Sequence, residues 1–153
     1  MKIVIVLAAV LILLVMAFWI LGWYSSRVAP TAMTAENILQ CGNKPNCVSS
    51  EGVSNPSQAV KPIVVSGSDP IADVVSAAIA ATGGQLVSVD PSTIVATYQS
   101  SMFRFIDDVI IKIDPYSPRR IDIMSSSRVG YSDFNANRQR VERLRAILTA
   151  SEI

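Results

Sequence analysis

The sequence predicts an α+β fold: an amino-terminal single transmembrane helix, then a small domain in which an antiparallel sheet of about five strands carries two covering helices. Three observations predict it. Residues 3–24 contain no charged side chain. Short β-branched runs separated by Gly, Pro, Asp and Ser recur from Pro62 to Met124, the pattern of strands joined by turns. Apolar residues at helical spacing flank these runs, at Ile71–Ile79 on one side and Val141–Leu148 on the other. The expected order is β-α-β-β-β-β-α, with residues 1–24 as anchor, 25–38 as flexible tether and 39–153 as the α+β domain.

From Ile3 to Tyr24, about 22 residues at 1.5 Å each span roughly 33 Å, enough for a bilayer core of about 30 Å. Some 14 Leu, Ile, Val and Phe side chains there favour insertion by roughly 4–8 kcal/mol. Trp19, Trp23 and Tyr24 crowd the far end, as aromatics at a membrane interface do. A signal peptide is the alternative, giving a secreted domain after cleavage between Ala29 and Ala35. Its apolar region is usually about 7–15 residues long and followed by a small-x-small site; this run is longer and no clean Ala-x-Ala follows it. Lys2 and the amino terminus face Arg27 across the span, a slight bias toward a cytoplasmic start.

Ser25 to Glu36 is small and polar and reads as a stalk holding the domain off the membrane. Cys41 and Cys47 then enclose a loop rich in turn formers. A bond between them would constrain the unfolded chain by about 2 kcal/mol and suits an oxidising compartment. The expected location is therefore the inner (cytoplasmic) membrane, with a single pass and the domain on the periplasmic side. A redox role for the pair is weaker, because it does not open a helix that would lower a thiol pKa.

Pro62–Ser66 reads as a strand. Ser68-Asp69-Pro70 signals a capped helix start and Gly83-Gly84 its end. Gln85–Val89 and Thr93–Gln99 read as strands around the Asp90-Pro91-Ser92 turn. Phe103–Ile113 alternates as the longest strand, with Phe103, Phe105, Val109, Ile111 and Ile113 on one side and Arg104, Asp108 and Lys112 on the other. Arg120–Met124 returns as a strand into a serine turn. Asp133 can cap the last helix, whose stripe is Val141, Leu144, Ile147 and Leu148; Arg138, Arg140, Arg143 and Arg145 lie largely off it.

The chain has 153 residues, a net charge of +1 and no histidine. The near-zero charge gives no electrostatic case for nucleic acid. The missing histidine removes Ser-His-Asp and Cys-His nucleophile systems and histidine metal sites. No motif implies a metal or a cofactor. Polar residues nevertheless gather where the serine turn meets the last helix. The candidate site is Asp107, Asp108, Ser127, Arg128, Ser132, Asp133, Asn137 and Arg138. Alternation places Asp107 on the apolar face, where an unpaired carboxylate is costly. Arg128 is the expected partner of Asp107 or Asp108. Adjacent strand residues point to opposite faces, so the two acids are poorly placed to share a substrate or a metal. The helix start after Ser132 favours an anion such as phosphate, although Asp133 would oppose it by charge and occupy the same donors.

Phe103-Arg104-Phe105-Ile106-Asp107-Asp108 resembles the FRF(V/I)DD core of the Domain of Unknown Function 1499 family. Ser127-Arg128-Val129-Gly130-Tyr131-Ser132-Asp133 with Asn137-Arg138, and Asn46-Cys47-Val48-Ser49-Ser50 with Cys41 ahead of it, are similar to that family's other blocks. The matches span Leu39 to Leu148. The family carries no assigned activity; the resemblance implies an extracytoplasmic or lumenal domain, often beside a membrane segment. Met124 stands where the family often shows arginine, and Asn135 where it shows glycine. An arginine-lined site, if general in the family, is incomplete here.

Three functions compete. The first is a membrane-tethered, non-catalytic binding or assembly domain. Its ligand would be a small apolar molecule enclosed between helix and sheet, by fold analogy alone, or an anion. The second is a hydrolase or transferase using Asp107 or Asp108 with Arg128. The third is an accessory subunit whose anchor, residues 3–24, meets lipid and a protein partner in the membrane.

Overall fold

The structure, a computed structural model, describes residues 1–28, 39–117 and 119–150. Helix α1 (Lys2–Ser25) is apolar along its length and leaves nearly all its side chains uncovered, with only Gly22 and Ser25 buried. Such a helix is long and apolar enough to cross a bilayer, a property that an anchor and a signal sequence share.

The domain is a six-stranded antiparallel sheet with two helices on one face. Its strands are β1 (Cys47–Ser49), β2 (Ile63–Val64), β3 (Gln85–Val89), β4 (Thr93–Gln99), β5 (Ile106–Ile113) and β6 (Arg120–Ser127). They lie in the order β1-β6-β5-β4-β3, and β2 pairs with the same edge of β6 as β1. Helices α2 (Ile71–Ala81) and α3 (Ala136–Thr149) close over one face. Beneath them the main core joins Val75 and Ile79 of α2 to Val141, Leu144 and Leu148 of α3. From the sheet come Ile94, Ala96, Val109, Ile111, Ile121 and Ile123. The other face carries a smaller cluster of Leu39, Cys47, Val95, Ile110 and Met124. Every second residue of β5 and β6 therefore enters a different apolar layer, which is why Val109-Ile110-Ile111 reads as a continuous run.

Several expectations need correction. Phe103–Phe105 is not strand. Ser100 closes a turn there, its carbonyl accepting from Arg104 N and its hydroxyl from Phe105 N. Arg104 sits at φ 59°, so the alternation of Phe103 and Phe105 with Val109 does not hold. Ser125–Ser127 is not a turn but the end of β6, held between β1 and β5; ladder bonds on both sides override serine's weak strand preference. Strand β1 is an addition to the expected order, formed where the disulfide loop meets β6. Helix α2 starts without a side-chain cap from Ser68 or Asp69. Ile147 of the expected α3 stripe is exposed, whereas Arg140 is buried. Ser25, expected to begin the stalk, completes α1, and its hydroxyl both accepts from Ile106 N (2.9 Å) and donates to Ile106 O. Of the expected tether, residues 29–38, together with the expected cleavage region, lie outside the described residues. Cys41 and Cys47 are joined by a disulfide.

Candidate functional site

The predicted polar residues separate into two clusters on opposite sides of the sheet. Period-two alternation along β5 sends Asp107 toward the helices and Asp108 away from them.

On the far face, Asp108 is 1% exposed and receives Arg128 from the segment after β6. Arg128 Nε donates to both carboxylate oxygens (3.1 and 2.9 Å) and Nη2 donates to Oδ1 (2.7 Å). The fourth bond, Nη1 to the Val28 carbonyl at 2.9 Å, ties the residues just after α1 to the same guanidinium. The side-on approach uses the planar fork that arginine has and lysine lacks.

On the helix face, Asp107 is met by Arg140 of α3, whose Nη2 donates to Oδ2 at 2.6 Å. Arg140 also donates to Ser125 Oγ (2.8 Å) and to Asn137 Oδ1. Its Cζ lies 4.6 Å from the centre of the Tyr98 ring, and its buried Nε has no hydrogen-bond partner among the described residues. Stacking on the ring is the interaction that plane retains. Burial pushes the Tyr98 phenol up, with the Thr82 hydrogen bond and the Arg140 and Arg143 charges partly opposing. Asn137 extends the network, its amide donating to Asn46 O and to Ser127 Oγ, both at 3.0 Å. Asn46 in turn donates to Gly130 O at 3.0 Å.

Ser132, Asp133 and Arg138 join neither ion pair. Asp133 caps α3 from outside it, Oδ2 accepting from Asn137 N (2.8 Å) and Oδ1 from Asn135 N (3.1 Å), so donors that an anion would use are occupied. Ser132 is exposed, and Arg138 donates to Ser57 O and Ala59 O, fastening the segment before β2 to α3. Asn135 adopts φ 66°, the left-handed conformation that glycine accepts most readily. Met124 is packed in the smaller apolar cluster rather than facing a site.

Arg140 is the residue that sequence reasoning missed. The signal was available: it lies three residues after Asn137 and four before Leu144, on the face those two bury.

Asp107 and Ser127 also border a cleft of about 330 Å³ between the last turns of α1 and the segment 129–134. Phe18 and Leu21 of α1 form one wall, and Val129, Tyr131 and Phe134 contribute to the other. No group of three or more metal-ligating side chains occurs among the described residues.

The family model described as "Protein of unknown function (DUF1499)" matches residues 37–148. Comparison with curated proteins and with solved structures gives no match.

Proposed function

This chain belongs to the DUF1499 family of proteins of unknown function, and from that premise we propose that it is a membrane-anchored, non-catalytic binding or assembly module. One observation carries the reading: each acid of the Asp107-Asp108 pair is already engaged by an internal arginine, and the two pairs face opposite ways. General acid–base work needs a titrating group within reach of a substrate proton; these two carboxylates instead lock separate layers of the fold. The anchor reading draws support from the charge-free run 3–24 within α1 and from its aromatic end. Placement on the periplasmic face of an inner membrane, amino terminus inside, draws support from the Cys41–Cys47 bond. Cleavage and secretion would be the outcome if α1 served as a signal sequence.

The test is purification of the full chain in mild detergent with mass spectrometry of what travels with it. Co-purifying lipid or another small ligand, or a protein partner, is expected. A partner lost when residues 3–24 are swapped for an unrelated span would make the chain an accessory subunit working through its anchor. A preparation carrying neither would refute the binding role.

A second reading, a hydrolase or transferase, is favoured by the position of Asp107 at the cleft wall. It requires Asp107→Asn to abolish turnover of a substrate while the protein still binds it.

A further inference from the structure

We infer that the α1-facing end of the domain, the segments 100–105 and 129–134, is seated in the lipid interface rather than held above it. The inference rests on the anchor reading and adds a surface to it. Helix α1 is 24 residues long, about 36 Å against a hydrocarbon core of about 30 Å. If the core begins at Ile3, about 20 residues fill it, and it ends near Gly22. The domain meets α1 at and below that level. The Phe103 ring stacks on Phe18 with centroids 5.1 Å apart and meets Trp19 edge-on at 6.4 Å. Phe18 precedes Ser25 by seven residues, about 10 Å along the axis. The approach is built in: a Cβ on Gly22 would lie 1.7 Å from the Phe103 carbonyl oxygen.

The same end displays apolar side chains that none of the described residues covers. Phe134 is 90% and Tyr131 73% exposed, and Met102 is also exposed. With Phe18 and Leu21, the first two border the cleft beside α1, so the surface is continuous with the flank of the span. Polar chemistry agrees. Arg104, exposed between Phe103 and Phe105, has no ion pair among the described residues, and Arg27 lies over the Trp23 ring at 4.9 Å. Both suit lipid phosphates at the headgroup level. The nearby acids are engaged, Asp133 in capping α3 and Asp107 by Arg140. The occupant is therefore bilayer lipid: chains against the aromatics and the cleft, phosphates against the arginines.

The test uses single-tryptophan reporters in the full chain. Trp19 and Trp23 are the only tryptophans; both become Phe, and Phe134→Trp or Tyr131→Trp is added. Tyr116→Trp is the control. Tyr116 is 97% exposed and lies beyond the opposite end of β5, roughly 24 Å away along the strand. The proteins are reconstituted in phosphatidylcholine–phosphatidylglycerol vesicles with ordinary or chain-brominated lipid and washed in carbonate. At positions 134 and 131 we expect emission to fall about twofold in brominated vesicles, as for a side chain 5–10 Å into the boundary, with protection from aqueous iodide. Position 116 should show neither. Retention in the vesicles with positions 134 and 131 as iodide-accessible as 116 would overturn the seating alone. Release of the chain by carbonate would overturn the anchor and the seating together.

Discussion

Replacing Arg128 with methionine isolates the Asp108 clasp. The substitution keeps most of the stem but leaves a carboxylate that is 1% exposed with no cation. At roughly 4 Å between charge centres and an effective dielectric of about 20, the lost attraction is about 4 kcal/mol. Removing one partner of a buried pair costs about 3–5 kcal/mol. Since the Arg128 side chain is 10% exposed, the lower half of that range is expected. At roughly 4 °C per kcal/mol for a domain of this size, the melting temperature should fall by about 12–16 °C. The assay is thermal unfolding of the full chain in mild detergent, followed by near-ultraviolet circular dichroism. Adding Asp108→Leu to Arg128→Met should restore most of the loss, because an apolar pair in place of a buried ion pair is often close to neutral. A loss below about 1 kcal/mol for Arg128→Met, in a chain whose spectrum matches the parent, would refute the reasoning.

Arg140→Leu should cost at least as much as Arg128→Met, since it strands Asp107 and also removes donors to Ser125 and Asn137; the same melts measure it. Gly22→Ala should part α1 from the 100–105 turn. The Ile106 amide, which donates to Ser25, should then exchange with solvent deuterium about tenfold faster or more, as loss of one such hydrogen bond implies. The Tyr98 phenol is raised above its ordinary value by burial, so the folded state keeps its proton where the unfolded chain has released it. Stability is therefore full below pH 10 and falls as pH rises through the folded value; Tyr98→Phe should flatten that alkaline decline in pH-dependent melts. Reducing the Cys41–Cys47 bond should cost about 2 kcal/mol by loop entropy, seen as a lower melting temperature in dithiothreitol.

Period-two alternation was enough to send Asp107 and Asp108 to opposite faces, and helical spacing was enough to find α2 and most of α3. What escaped the sequence depended on residues distant in the chain. Ser125–Ser127 looks like a turn in isolation because serine favours local hydrogen bonds, yet β1, some 80 residues earlier, makes it strand. Phe103 and Phe105 alternate like strand residues because they are apolar, but their partners are on α1. Arg140 lies largely off the apolar stripe of α3, and an arginine there is usually exposed. Its burial depends on Asp107, which arrives from another strand to compensate the charge.

The adjacency of the two acids has a consequence for how β5 finds its place. A slip of one residue would exchange the two layers. One acid would then land in the other's place and meet its guanidinium, while the second acid and the second guanidinium would be left without partners. A slipped pairing thereby strands one anion and one cation, and only one alignment of this strand leaves every charge answered.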